Sequence, residues 1–296
     1  MMSASFLTVV LERAFNMRDG FGREIDYMRI SVIDSCNLNC YYCNPCDNNE
    51  HCHALNILSV KEVLCIVRAA TRLGIKHFRL TGGEPLLHPQ LDEMVLQIKK
   101  IPGVSSVSLT TNAVLLAQHA KWLKEAGIDS INVSLDTIDA SEYERITKKP
   151  LLEEVKHGIN AAIECGIRVK INVVLTPQTD VVALTRYVAK KGTDIRFIEM
   201  MPVGEGHTNG VEPYKKVIGT LSKLYGEPCR INTEKTKEIN SGNDKRKIPD
   251  NGPAEYYIFP ELGIRVGLIQ AIHGKFCDTC NRIRVTADGR LMPCLG

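Results

Sequence analysis

Short runs rich in β-branched residues alternate with longer amphipathic runs through most of this chain, and that alternation restricts its fold more than any other feature. Strand-like runs fall at 27–33, 76–80, 104–110, 130–135, 168–175 and 194–200, with helical patterns at 59–73, 90–100, 115–126, 141–147, 152–165 and 181–191. The first helix opens on Ser59-Val60-Lys61-Glu62, a capping box, and repeats Val60, Val63, Leu64 and Val67 at helical spacing. Six strands separated by helices imply parallel pairing through right-handed crossovers, and such a sheet curls partly or wholly into a barrel. The expected fold class is α/β, a partial TIM-type (βα)6 barrel with a C-terminal extension. Barrel chemistry gathers at the C-terminal ends of the strands. The noteworthy segments fall there: a cysteine-rich loop after the first strand, Gly82-Gly83-Glu84-Pro85 after the second, Thr110-Thr111-Asn112 after the third and Ser134-Leu135-Asp136 after the fourth. Lys170 lies in the fifth run, and the segment from Arg196 to Met201 ends the sixth.

The cysteine-rich loop spaces Cys36, Cys40 and Cys43 as Cys-x3-Cys-x2-Cys. Three thiolates so placed suit three irons of a four-iron, four-sulfur cube, leaving the fourth iron open to a small chelating ligand. A zinc site and buried free cysteines are the plainer alternatives. A second triad, Cys277, Cys280 and Cys294, again supplies three thiolates, and no His or Cys follows Cys294 to complete a four-ligand zinc site. A second cube with an open iron is therefore favoured, with Arg282 and Arg284 woven between its ligands for a bidentate grip on phosphate. Eleven cysteines in clusters fit cytosolic metal chemistry better than disulfides, so the expected location is cytoplasmic. Cys65 and Cys165 sit in helical apolar patterns and are expected in the core, while Cys229 lies in a loop-like stretch. Cys46, His51, Cys52 and His53 decorate a variable loop or, less simply, form an extra metal site.

At 296 residues, one catalytic domain with an appendage is the natural division: an N-terminal extension over 1–16, the barrel over 17–206 and a C-terminal region over 207–296 carrying the second cluster. That last region is expected to hold a helix at 214–225, a solvated polar stretch at 232–251 and a hairpin at 256–259 and 265–269. A net charge of +3 points to no nucleic acid, so affinity for phosphate must come from a local group of Arg and Lys. No apolar run approaches eighteen residues, which argues against a membrane span, and residues 1–15 lack the basic leader and cleavage site of a signal peptide.

The first triad with Tyr42 directly before its third cysteine, together with Gly82-Gly83-Glu84-Pro85, resembles the radical S-adenosylmethionine (SAM) superfamily. Over roughly 17–296 the resemblance narrows to the GTP 3′,8-cyclase family of molybdenum-cofactor biosynthesis. It is carried by Gly22-Arg23-Glu24-Ile25-Asp26-Tyr27-Met28-Arg29-Ile30-Ser31-Val32, Leu80-Thr81-Gly82-Gly83-Glu84-Pro85-Leu86, Leu109-Thr110-Thr111-Asn112 and Ser134-Leu135-Asp136-Thr137. Further along, Arg196-Phe197-Ile198-Glu199, Met201-Pro202-Val203-Gly204, Gly252-Pro253-Ala254-Glu255-Tyr256-Tyr257 and the second triad with its Asn281-Arg282-Ile283-Arg284 insert complete the match.

That resemblance implies two [4Fe-4S] clusters and S-adenosyl-L-methionine as cofactors. Cleavage of the cosubstrate at the first cluster would give a 5′-deoxyadenosyl radical that takes hydrogen from C3′ of GTP, and the carbon radical would then attack C8 of guanine. Cys36, Cys40 and Cys43 would ligate one cluster and Cys277, Cys280 and Cys294 the other. Tyr42, Gly82, Gly83, Glu84, Ser134 and Met201 would hold the cosubstrate. Arg29, Arg79, Thr110, Lys170, Arg196, Arg282 and Arg284 would hold GTP, largely through its triphosphate. The implied partners are a reducing electron donor and the enzyme of the cyclic pyranopterin step, with a homodimer allowed. Three departures stand out: His77 where the family has Lys, Ser35 where it has Arg, and a chain ending two residues after Cys294 without the family's two-glycine tail, which reads as truncation or altered chemistry. The first sixteen residues read as an extension or an over-called start. The competing expectations are a radical enzyme acting on another nucleotide or a peptide, and an inactive cluster-bearing electron-transfer protein.

Overall fold

The computed structural model describes residues 17–43, 56–201, 211–231 and 252–294. The extension at 1–16, the residues Cys46, His51, Cys52 and His53, the 206/207 boundary and the polar stretch at 232–251 lie outside the described residues. The six expected strands form within a few residues of their sequence limits: β1 Tyr27–Ser31, β2 His77–Thr81, β3 Ser106–Thr111, β4 Ser130–Ser134, β5 Val169–Val174 and β6 Asp194–Ile198. Between them run α1 Val60–Arg72, α2 Leu91–Lys99, α3 Leu116–Glu125, α4 Ala140–Thr147, α5 Leu152–Glu164 and α6 Val181–Lys190. The capping box is present, Ser59 Oγ accepting from the Glu62 amide while Glu62 Oε2 accepts from the Ser59 amide at 2.8 Å. Asp139 and Asp180 cap α4 and α6 in the same manner, each accepting from the amide three residues on.

The C-terminal region adds a π-helical turn at Tyr214–Ile218, α7 Gly219–Tyr225, β7 Cys229–Ile231, β8 Glu255–Ile258, β9 Arg265–Ile269, β10 Arg282–Val285 and β11 Leu291–Met292. Strands β8 and β9 pair antiparallel, as the hairpin pattern implies. Cys229 is not in a loop but begins β7, pairing with Ile258, because the edge of β8 offers it a ladder that no local pattern announces. The eleven strands among the described residues belong to one sheet, in the order β11-β10-β1-β2-β3-β4-β5-β6-β9-β8-β7, with β10, β1 to β6 and β9 mutually parallel. Two strands from the end of the chain thus flank the six-stranded curl, β10 beside β1 and β9 beside β6.

Alternation sorts each early strand into two faces. In β1 and β2 the residues Met28, Ile30, Phe78 and Leu80 are buried against the helices, whereas Tyr27, Arg29, His77 and Arg79 are part-buried on the concave side. Val63, Val67 and Ala70 of α1 supply the facing apolar stripe. Cys65 falls off that stripe and is exposed, which corrects its expected place in the core, and Cys165 is half-buried at the end of α5. Helix α5 closes on the turn after β3 at Gly158, where an added Cβ would stand 2.4 Å from the Ala113 carbonyl oxygen. Ala113 itself takes a left-handed conformation, φ 65°, and is fully buried.

Candidate active site

The cysteine loop is bound to the barrel rim by backbone and side-chain contacts. Its Asn39 and Tyr41 amides donate to the Thr147 and Ile146 carbonyls at the end of α4, at 3.0 and 3.1 Å. The Tyr42 hydroxyl donates to Asp136 at 2.5 Å, and the other oxygen of Asp136 accepts from the Val174 amide at 2.7 Å. Opposite, the Gly83 and Glu84 amides donate to the Ile33 and Ser35 carbonyls, both at 2.8 Å. That approach needs glycine: a Cβ on Gly83 would lie 2.1 Å from Ser35 O, and one on Gly82 would lie 2.5 Å from Ile33 O.

Glu84, 1% exposed, accepts from Thr111 Oγ1 at 2.6 Å and from the Asn112 and Leu86 amides at 2.7 and 3.0 Å. Its carboxyl therefore splices the glycine loop to the end of β3. Burial pushes its pKa up and these three donors pull it back. Pro85 opens a 3-10 turn, Pro85–Leu87, and not the helix itself. Ser134 is exposed at the end of β4, and Met201 is half-buried after β6, on the same rim.

The three rim cysteines lie within electrostatic reach of one another. Burial raises the Cys36, Cys40 and Cys43 thiols, and the Asp136 carboxylate and neighbouring thiolates add to it at Cys40, which is pushed up to about 12. Such a donor set ionises only against a strong local cation, which is what a cluster's irons provide. Among the described residues no three His, Cys, Asp or Glu are arranged to hold a single metal ion. Thiolates on three corners of a cube need not meet at one point.

Inside the curl lies a cavity of about 370 Å³, in the range of small-molecule clefts, roughly 300–1,000 Å³. Strand register stacks its cations in layers. Arg29 lies level with Arg79 and Arg284, Tyr27 with His77 and Arg282, and Arg196 with Asn172 and Gly267. Sequence reasoning puts these cations at the rim, but Arg29, Arg79, Lys170 and Arg196 sit within their strands and line the lumen. Long side chains occupy positions that a closed barrel would fill with apolar ones.

Several of these groups are held but not saturated. Arg79 donates through Nε to Tyr27 at 2.5 Å and through Nη1 to Leu109 O at 3.0 Å, with Thr110 Oγ1 3.4 Å away. Arg196 donates through Nε to Asn172 at 3.0 Å. Lys170 stands 5.8 Å from the centre of the Tyr256 ring. Arg29 Nε, Arg196 Nη2 and Arg282 Nε are buried with no hydrogen-bond partner among the described residues. Burial and the crowding of Arg284 and Arg79 bring Arg29 down to about 9, and burial with Arg282 lowers Arg284. An anion in the cavity would relieve both.

His77, in place of the expected lysine, bonds Ser106 Oγ at 2.8 Å through Nδ1, and burial lowers its pKa. Ser35 meets the glycine loop through its carbonyl.

Cys277 and Cys280 of the second triad bracket the turn Cys277–Thr279 just before β10, and Cys294 follows β11. Cys280 and Cys294 lie within electrostatic reach of Arg284 and offset part of its lowering. Arg23, which sequence reasoning passes over, donates to Cys277 O at 2.6 Å and lies within electrostatic reach of Cys277 and Cys280. Buried Glu199 accepts from the Ile272 and His273 amides at 2.7 and 3.1 Å and pairs with His273 Nδ1, fixing the turn that leads to the triad. The signal for Arg23 and Glu199 was present in the motif strings, but nothing in spacing assigned them a contact.

The family model for the Radical SAM superfamily matches residues 30–184, and that for Molybdenum Cofactor Synthesis C matches residues 193–296. The chain is 37% identical over 282 residues to a GTP 3′,8-cyclase of Clostridium perfringens (strain SM101 / Type A), covering 94% of this chain and 83% of that protein. It is 38% identical over 286 residues to a GTP 3′,8-cyclase of Pelotomaculum thermopropionicum, covering 94% and 84%. Among solved structures it is similar in fold to SuiB of Streptococcus suis bound to its precursor peptide SuiA, with a TM-score of 0.63 at 16% identity. That match covers 91% of this chain, which spans only 59% of SuiB. Methylornithine synthase follows at a TM-score of 0.54 and 16% identity, covering 77% of this chain and 71% of that one.

Proposed function

The chain belongs to the radical SAM superfamily and, within it, to the GTP 3′,8-cyclase family of molybdenum-cofactor biosynthesis, and from that membership we propose the task of each site residue. The reaction is the conversion of GTP to (8S)-3′,8-cyclo-7,8-dihydroguanosine 5′-triphosphate. When bound, the two [4Fe-4S] clusters and S-adenosyl-L-methionine supply reductive radical chemistry able to remove a hydrogen atom from an unactivated carbon, here C3′ of the ribose.

Cys36, Cys40 and Cys43 hold the first cluster, and Cys277, Cys280 and Cys294 the second. The exposed edge of Gly82 and Gly83, with Tyr42, Ser134 and Met201, forms the cosubstrate's seat. Tyr42 and Glu84 shape that seat from behind, since their polar atoms already bond Asp136 and the Thr111-Asn112 turn. Arg29, Arg79, Thr110, Lys170, Arg196, Arg282 and Arg284 hold GTP. The guanidiniums grip the triphosphate, and the ribose and base are left between the two triads, where reacting carbons are oriented and water is excluded. A low-potential electron donor and an enzyme carrying the cyclised nucleotide on to the cyclic pyranopterin complete the scheme.

The observation that carries this reading is the cation-lined cavity inside the curl, where buried nitrogens of Arg29, Arg196 and Arg282 have no hydrogen-bond partner among the described residues. The test is anaerobic reconstitution with iron and sulfide, reduction, and addition of S-adenosylmethionine with GTP. The expected products, read by mass spectrometry, are 5′-deoxyadenosine and a cyclised GTP isomer. Deoxyadenosine without the isomer would reject GTP as the substrate.

A further inference from the structure

The rim network ends on a cluster thiol. Asn112 follows β3, and its amide N–H is held by Glu84 Oε2 at 2.7 Å. Its side-chain oxygen accepts from the Val114 amide at 3.0 Å, which fixes the orientation of the amide group and turns Nδ2 the other way. There Nδ2 donates to Asn37 Oδ1 at 2.7 Å and lies 3.8 Å from Cys36 Sγ, within reach of a hydrogen bond to sulfur. The Leu38 amide donates to the same sulfur at 3.5 Å. Cys36 is thus met by one backbone and one side-chain donor.

We infer that Asn112 tunes the reduction potential of the first cluster by donating its side-chain amide to the Cys36 thiolate. The inference rests on the reading that the first triad holds a [4Fe-4S] cluster. A donor to a ligating sulfur stabilises the more negative, reduced cluster and so raises its potential. The chain of contacts from Glu84 through Asn112 to Cys36 ties that donor to the splice that seats the glycine loop. Asn112 is a positioning residue in this sense: it acts through a ligand and not on the reacting atoms. One electron from a low-potential reductant such as dithionite converts the oxidised cluster to the reduced one, and no other reactant is needed.

The test is an EPR-monitored redox titration of the full, anaerobically reconstituted chain. The first cluster's midpoint is identified as the one lost in Cys36→Ala. In Asn112→Ala, the ratio of reduced to oxidised first cluster at a fixed solution potential should fall roughly three- to tenfold, tenfold being 59 mV for a one-electron couple. Asn112→Asp keeps the acceptor for Val114 but turns a carboxylate oxygen toward sulfur, and should lower the ratio further. The second cluster's midpoint should stay in place in both. Should Asn112→Ala fail to assemble, Asn112→Ser, which also withdraws the amide from Cys36, carries the same comparison. Unchanged first-cluster midpoints in these variants, or equal shifts of both clusters, would overturn the inference. Absence of any cluster signal dependent on Cys36 in the unmodified chain would instead overturn the underlying reading.

Discussion

The rim and the lumen of this barrel treat polar groups in opposite ways. At the rim, Glu84 takes three donors, Asp136 takes two and Glu199 takes three, all from the protein itself. In the lumen, Arg29, Arg196 and Arg282 each keep a buried nitrogen without a partner among the described residues. A buried polar group without a partner costs about 1–3 kcal/mol and is retained where a ligand supplies what the protein withholds. On the proposed function, the rim is framework for the cofactors and the lumen's cations await a polyanion.

The contrast is sharpest when broken from the rim side. Glu84→Ala strips an acceptor from two buried donors and one part-buried one, and we expect a loss of about 3–5 kcal/mol in the cluster-free chain, measured by denaturant unfolding. Glu84→Gln, which keeps one carbonyl oxygen, should lose less; equal losses would mean that hydrogen bonding is not what Glu84 contributes. A lumen residue should respond in the other currency. Arg196→Ala removes an unsatisfied cation, so it should cost little stability while weakening GTP binding by about 2–3 kcal/mol, roughly 30- to 150-fold by calorimetry. A smaller effect of the same kind is expected from β9. A Cβ on Gly267 would sit 2.7 Å from Arg196 Cγ and 2.9 Å from the Tyr256 ring. Gly267→Ala should therefore displace Arg196 and weaken GTP binding by about 1 kcal/mol, around fivefold.

A separate effect concerns pH at the rim. Burial raises Asp136 to about 6 against the pull of Tyr42 and the Val174 amide. A carboxyl raised on folding contributes stability that is present at low pH and lost as pH rises through its folded value. The cluster-free chain should therefore gain about 1–2 kcal/mol relative to Asp136→Asn between pH 7 and pH 4, read by chemical unfolding at each pH. A parallel pair of pH profiles would show that folding does not raise the Asp136 pKa.

The order of strands and helices was legible because period-2 and period-3.6 patterns alternate cleanly from Tyr27 to Ile198, and Ser59-Val60-Lys61-Glu62 behaves as a local motif should. What escaped was non-local. Nothing in 265–269 or 282–285 says that these strands lie beside β6 and β1, because a ladder partner is chosen by the exposed edge and not by the strand's own residues. The same limit hid the depth of Arg29 and Lys170, whose position within a strand is plain but whose facing follows from curvature. Both cysteine triads were visible as spacing. Their supports, Arg23, Asn112, Asp136 and Glu199, are single polar residues whose contacts to the site reach far along the chain, from 28 to 254 residues off. The hairpin of β8 and β9 was read correctly, since its partners are neighbours in sequence.

The most direct measurement is equilibrium binding of GTP, GMP and guanosine to the reconstituted chain at low and high salt. If the lumen's cations wait for a triphosphate, affinity falls from GTP to GMP to guanosine, and salt weakens GTP far more than guanosine. Guanosine binding as tightly as GTP, with no dependence on salt, would contradict the account.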